Sequence, residues 1–522
     1  MTTQPSSTQQ AKQLDQLLAA GRLNDAMRLA QALIIQDACN GYAWHRLGLA
    51  CLMQGQDSAA VAALANATRL PGAGAEAFDH YGVALIRSGQ HQLARSAIEY
   101  CLTLSPARAS AWSNLAEIEL VSGNLKEAEV CAKRSLALDA HDVSALITLG
   151  NVRWATGRGN EAATSFRQVL ALQPDHCTAL ANLGALLQAA WQPAAALPYF
   201  ARLTQLQPHS ATAHLQLAGA LLANAQPAAA ATIAHHSVQL QASASGHHVL
   251  GTALKQLGEL MAANLQFRAA VEILLATPEL RPIPTRPFSP IQGHAVLKRA
   301  RQCLESAGLR FGLFAGTLLG IVRGGDLLTH DKDLDLALPW DTPRQQVSTA
   351  LCAGGDFLPY PLFQPGDSQT VWHQCFVHAG SGQMLDLFYL KPKGDKFLAG
   401  FDHLPEPILC QLPRFDFGQI NWRGESWPAP APTETYLQAV YGSQWRIPDP
   451  DFDTLLSNPS RLPQSLPVAI CHAHGRLYQY ILQGFWAKAA ALVGQIRRHQ
   501  DAYYLGQWQA QLITRLKQEG RE

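Results

Sequence analysis

Between Gly316 and Leu338 the chain reads GTLLGIVRGGDLLTHDKDLDLAL, a Gly-Thr turn and an arginine followed by alternating aspartates. On a strand, side chains at i, i+2 and i+4 share one face, so Asp331, Asp333 and Asp335 can project together. Three adjacent carboxylates repel one another unless a cation neutralises them, and hard oxygen ligands suit Mg²⁺ or Mn²⁺. A further isolated acid, Asp386, lies between Leu385 and Leu387. The pattern points to a metal-dependent enzyme acting on phosphates. A calcium loop of the EF-hand type is excluded, because it needs Gly at position 336 and Glu at 342, where the chain has Leu336 and Thr342. His373 and Cys375 alternate on an expected strand and read as core or lining residues rather than a nucleophilic pair.

Positioning these acids requires a mixed domain. Pro278, Pro282, Pro284, Pro287 and Pro290 break helical periodicity and predict a stiff connector over 277–290. An amphipathic helix is expected over 294–307, with Leu297, Ala300 and Leu304 on one face and Gly308 as its stop. Short strands are expected at 311–314, 334–338, 371–377 and 384–390, with helices beginning at Thr317 and running over 343–351. Strands and helices in this order predict an α/β or α+β domain with a mixed sheet.

The first half of the chain is repetitive. Leu47-Gly48, Tyr81-Gly82, Leu115-Ala116, Leu149-Gly150, Leu183-Gly184 and Leu217-Ala218 recur every 34 residues. Gly21, Gly55, Gly89, Gly123 and Gly157 form a second series, continued by Trp191, Ala225 and Gly258. Ala26, Ala60, Ala94, Ala128, Ala162, Ala196, Ala230 and Ala263 follow five residues later, where a small side chain lets two helices approach. Trp44-x-x-Leu47-Gly48, and Ala162-x-x-x-Phe166 with Pro174, resemble the tetratricopeptide repeat family. The resemblance covers 10–276, about eight hairpins, and implies an all-α right-handed superhelix with a groove for a protein partner. His235, His236, His247 and His248 read as solvated helix residues rather than metal ligands. Gly484 and Ala489 repeat the turn spacing and predict a C-terminal helical hairpin region over 466–520.

The order G-T-L-L-G-x-x-R, D-x-D-x-D, apolar-D-apolar carries a second resemblance. With Thr435-Tyr436-Leu437, Tyr441-Gly442, Trp445 and Pro448, residues 291–455 resemble the LicD/fukutin family of the nucleotidyltransferase superfold. That resemblance implies two Mg²⁺ or Mn²⁺ ions held by Asp333, Asp335 and Asp386, with Asp331 either a further ligand or the base for an acceptor hydroxyl. It places Gly316, Thr317 and Arg323 at the donor phosphate, where backbone N–H groups and a permanent guanidinium charge bind anions. It departs from the family at His330, where a tryptophan is usual, and at Lys332. The family is associated with transfer of phosphocholine, or of a polyol phosphate, from a CDP-type donor to a glycan.

The 522 residues exceed what one core organises, and a formal net charge of +1 with 15% charged residues excludes bulk electrostatic binding to nucleic acid. No segment is apolar enough to span a bilayer, the start of the chain lacks secretory-signal features, and ten scattered cysteines form no CxxC pair. A cytoplasmic location is therefore expected. Three function classes follow: a transferase of a phospho-substituent from a nucleotide-activated donor to a glycan or protein acceptor, a nucleotidyltransferase placing NMP on a protein or small molecule, and a repeat scaffold with an inactive catalytic domain.

Overall fold

Small residues at fixed positions are what close the helical hairpins. In the computed structural model, which describes residues 7–278, 280–283, 288–329, 333–360, 371–401, 406–500 and 502–518, the turn glycines Gly21, Gly55, Gly89, Gly123 and Gly157 have φ between 66° and 81°. This left-handed conformation is open to glycine at no steric cost. Ala26, Ala60, Ala94, Ala128 and Ala162 are fully buried. A Cβ on Gly48 would stand 2.4 Å from Leu64, and one on Gly82 2.3 Å from Ile98, so the Leu-Gly series marks where helices touch backbone to side chain.

The chain divides into two units, Met1–Leu186 and Leu187–Glu522. The first contains α1 (Ser7–Ala19), α2 (Leu23–Gln36), α3 (Gly41–Met53), α4 (Asp57–Arg69), α5 (Ala75–Arg87), α6 (His91–Leu104), α7 (Ala109–Val121), α8 (Leu125–Leu138), α9 (Val143–Ala155), α10 (Gly159–Leu172) and most of α11 (Cys177–Ala189). Consecutive helices pack around apolar cores, and polar networks lie among them. Asp79, 2% exposed, accepts hydrogen bonds from Arg108 Nε at 2.6 Å, Ser110 Oγ at 2.6 Å and Asn114 Nδ2 at 2.8 Å.

The second unit continues the hairpins through α12 (Pro193–Leu206), α13 (Ala211–Ala223), α14 (Pro227–Leu240), α15 (Ala244–Gln256) and α16 (Leu260–Ala276). Here Trp191 (φ 59°) and Ala225 (φ 54°) take the left-handed turn position held by glycine elsewhere. After α17 (Pro290–Ser306) come β1 (Gly312–Leu313), α18 (Ala315–Gly324), β2 (Asp333–Pro339), α19 (Arg344–Cys352), β3 (Phe357–Pro359), β4 (His373–His378), β5 (Met384–Lys393), β6 (Lys396–Phe401), β7 (Ile408–Pro413), β8 (Asp416–Trp422), β9 (Glu425–Ala431) and α20 (Thr433–Tyr441). The unit ends with α21 (Leu466–Leu482), α22 (Trp486–Arg497) and α23 (Tyr503–Gln518).

The sheet is mixed. Its order is β1-β2-β5-β4-β3, with β6 and β7 extending from the end of β5. β2 and β5 are parallel, and the other neighbours in this sheet are antiparallel. Leu334, Leu336 and Leu338 of β2, with Leu385 and Leu387 of β5, are at most 1% exposed and face the core; alternation sends Asp333, Asp335 and Asp386 to the opposite face. β8 and β9 form a separate two-stranded ribbon whose Trp427 is fully buried. In the C-terminal region Gly484 has φ 73° and Ala489 is buried. There α21 packs on α16, with Cys471 against Ala263 and Phe267.

Candidate functional site

Strand register brings the acids together. In the parallel β2–β5 pair Asp335 lies directly opposite Asp386, and Asp333 stands two residues before Asp335 on the same face. Asp335 is 6% exposed and Asp386 7%, whereas Asp333 is half-buried. Asp331 lies outside the described residues.

The segment before β2 fixes Asp335. The Thr317 backbone N–H donates to Asp335 Oδ2 at 3.2 Å, the Asp335 N–H donates to Thr317 Oγ1 at 2.8 Å, and the Phe314 N–H donates to the Asp335 carbonyl at 3.1 Å. Thr317 is 1% exposed, so its hydroxyl is turned to the strand that carries the acid. The turn into α18 places Ala315 at φ 37°, a conformation costly for a residue with a Cβ. Its N–H donates to the phenol oxygen of the fully buried Tyr436 at 3.0 Å. Tyr436 from the C-terminal signature thus secures the entry to α18, and Trp445 is buried beside Arg323, whose Nη1 donates to the Trp445 carbonyl at 3.5 Å. Gly320 allows close return of the following loop: a Cβ there would meet the Asp326 carbonyl oxygen at 2.8 Å and the Leu328 nitrogen at 2.9 Å.

β4 supplies the next neighbours. Cys375 is opposite Asp386, and His373 Nε2 lies 3.3 Å from Asp386 Oδ1. Burial alone would raise the Asp386 pKa, but the attraction of His373 and hydrogen bonding from His373 and Cys375 outweigh it and hold the carboxyl below its ordinary value. The Cys375 thiol is pushed far up by burial and by Asp386, so it has no thiolate character. His373 and Cys375 therefore line the acidic face.

The acids stand in a cavity of about 1400 Å³. Gly316 and Arg323 of α18 line one side, and Asp449 and Asp453 of the loop after α20 another. His472, Arg476 and Gln479 of α21, with Lys488 of α22, line it as well. Arg476 Nη1 pairs with Asp453 Oδ2 at 2.8 Å, and its guanidinium also donates to the Tyr480 hydroxyl. Burial works against the Arg476 charge, and Asp453, Tyr480 and Asp333 together outweigh it. Arg344, also on the lining, is committed to the carbonyls of Val371, Trp340 and Thr342 and sits over the Tyr389 ring at 3.7 Å. The contribution of α21 and α22 is absent from sequence reasoning: Arg476 sits in an amphipathic helix with no motif around it, more than 140 positions after the acidic row.

A family model described as Tetratricopeptide repeat matches residues 82–142. Curated relatives include the ribitol-5-phosphate transferase FKTN of Mus musculus and that of Homo sapiens, each 24% identical over 173 residues, or 33% of this chain and 37% of the relative. The chain thus spans little more than a third of the length of these relatives. Similar solved structures include the APC/C hetero-tetramer Cut9-Hcn1, with TM-score 0.43 and 21% identity over 46% of this chain and 48% of that one. MamA is similar with TM-score 0.28 and 21% identity over 30% of this chain and 92% of that one. No helix among the described residues is long and apolar enough to cross a membrane. The hairpins within residues 82–142 are tetratricopeptide repeats, and those from α1 to α16 share their 34-residue phase of turns and buried alanines.

Proposed function

We propose that this chain is a metal-dependent transferase of the LicD/fukutin type, moving a phospho-substituent from a CDP-type donor to a hydroxyl of a glycan or related acceptor. The observation that carries the reading is the register of β2 and β5, which sets Asp333, Asp335 and Asp386 on one face at a large cavity. The similarity to ribitol-5-phosphate transferases supports the same chemistry, and the repeats are proposed to bind a protein partner.

Asp333, Asp335 and Asp386 share one face of adjacent strands and are hard oxygen ligands of the kind Mg²⁺ or Mn²⁺ takes; their carboxylate oxygens do not all lie within 4.8 Å of one another, so the side chains would turn toward an ion to hold it. Such ions, when bound, screen the charge of a pyrophosphate and of the departing nucleotide. Thr317 keeps Asp335 in place by its two hydrogen bonds. Gly316, in the first turn of α18, lines the cavity where a donor phosphate would approach, while the N–H groups of Ala315 and Thr317 on either side of it are held by Tyr436 and Asp335. Arg323 offers guanidinium charge to the same anion, and Arg476, held by Asp453 and Tyr480, lines another side of the cavity. In the reaction a bond forms between the acceptor oxygen and the distal phosphorus, the bond from that phosphorus to CMP breaks, and the acceptor proton leaves. Asp331 is a further ligand or the base that takes this proton.

The test is a panel of CDP-choline, CDP-ribitol, CTP and ATP with the full chain in Mg²⁺ or Mn²⁺. Metal-dependent release of CMP from a CDP-alcohol is expected, with water attacking the distal phosphorus in place of the acceptor hydroxyl, and Asp386→Asn lowering it by about 100-fold or more. Arg323→Lys is expected to raise KM for the donor more than it lowers kcat, because a point charge replaces a bidentate fork. Release of pyrophosphate from CTP or ATP instead would establish NMP transfer. Absence of nucleotide binding would leave the scaffold reading.

A further inference from the structure

A second constellation lies in the unit Met1–Leu186, among the repeats. His45 of α3 and Glu76 and His80 of α5 each present one ligand atom, and these atoms all fall within 4.8 Å of one another. His45 Nε2 and His80 Nδ1 are 2.8 Å apart, with ring centroids at 5.1 Å. His45 is 8% exposed, His80 is half-buried and Glu76 is exposed. Burial, then His80 and Arg46, push the His45 pKa down to about 4, and burial lowers that of His80, so both rings are neutral near pH 7 and offer lone pairs.

Repeat packing does not ask for these residues. One period away, His45 corresponds to Ala11 and Asp79, Glu76 to Tyr42 and Ser110, and His80 to Arg46 and Asn114. The three ligand types therefore coincide at one hairpin junction without being part of the repeat signature. The surrounding charge also favours a cation. Arg46 pairs with Asp15 at 2.8 Å and reaches Glu76 at 3.4 Å, and Arg108 pairs with Asp79 at 2.6 Å. With neutral imidazoles, Asp15 and Asp79 balance Arg46 and Arg108, and the ligand Glu76 leaves the cluster one net negative charge.

We propose that His45, Glu76 and His80 form a site for a borderline transition ion of the Zn²⁺ class, with water as the fourth ligand on the exposed side. Two imidazoles and a carboxylate match the donor set that zinc takes in open sites. Tetrahedral ligation at ~2.0–2.1 Å places the two ring nitrogens about 3.3 Å apart, so the pair opens by about half an ångström from its hydrogen-bonded spacing. The proton shared between the facing nitrogens moves to the far nitrogen of its own ring through solvent, and both facing lone pairs go to the ion. Glu76 exchanges its Arg46 contact for the ion, and Arg46 keeps Asp15.

The experiment uses the full chain carrying Asp333→Asn and Asp386→Asn, which silences the acidic face, and titrates it with Zn²⁺ against a chromophoric chelator. One Zn²⁺ per chain is expected, with Co²⁺ substitution giving the visible bands of a four-coordinate ion. His80→Gln and, separately, Glu76→Gln are each expected to weaken binding by about tenfold or more and to abolish those bands. Glu76 is exposed, so its variant reads ligation without a folding penalty. Absence of stoichiometric Zn²⁺ binding in the Asn-substituted chain, or binding in both Gln variants as tight as in that parent chain, overturns the site.

Discussion

The hydroxyl of Thr317 accepts from the Asp335 N–H at 2.8 Å while the Thr317 N–H donates to the Asp335 carboxylate, all in a buried setting. Replacing Thr317 by valine preserves shape but removes the acceptor, which leaves a buried strand N–H without its partner. A loss of about 1–3 kcal/mol is expected in urea unfolding. Thr317→Ser, which keeps the oxygen, is expected to retain most of the stability. If valine and serine were equivalent, the hydroxyl would have no share in holding the acid. The family resemblance places Thr317 at the donor phosphate, through the N–H groups that open the helix it begins. The register that turns its hydroxyl to Asp335 is set by a pairing 18 positions away.

At the scale of elements, the hairpin turns offer a matched pair of changes. Gly123 has φ +81° and nothing within 4 Å of an added Cβ, so Gly123→Ala meets only the backbone penalty, about 1 kcal/mol. Ala225 already bears that strain at φ 54°. Ala225→Gly is expected to gain about 0.5 kcal/mol, the relief of strain less the extra entropy of glycine in the unfolded chain. Opposite signs in urea midpoints check the assignment, and a destabilising Ala225→Gly would count against it. These turns were legible because a strict period repeats the same signal many times. β2 and β5 were legible for another reason: their acids interrupt leucine-rich runs at period two. The β8–β9 ribbon was not, since Pro428 and Pro430 of β9 mask strand propensity and are tolerated because β9 has a strand partner on one side only. The cavity wall from α21 and α22 was not legible either, because which face of a helix meets a distant sheet is decided by tertiary packing and not by local pattern.

At the scale of the whole chain, the unit Leu187–Glu522 joins repeat helix α15 to the C-terminal α21 through polar groups rather than through leucine alone. The His248 ring stacks on Tyr478 with centroids 4.1 Å apart, and its Nε2 lies 3.1 Å from the Gln479 side-chain nitrogen. Lys255, whose pKa burial pushes down to about 8, reaches His472 Nδ1 at 3.3 Å. Burial first, then the charge of Lys255, pushes the His248 pKa down to about 4 from 6.5. The unfolded chain therefore binds more protons than the folded one between about pH 6.5 and 4. The stability tied to neutral His248 is fully present above that window and is lost as pH falls through it. His248→Phe keeps an aromatic ring against Tyr478 and removes the titration. Its unfolding free energy is expected to decline less between pH 7 and pH 4.5 than that of the natural chain, by roughly 1–3 kcal/mol after allowance for partial exposure of the ring. Urea unfolding of both full-length chains at the two pH values measures the difference. An unchanged decline would mean that His248 protonates in place and that the α15–α21 contact opens to water at no cost.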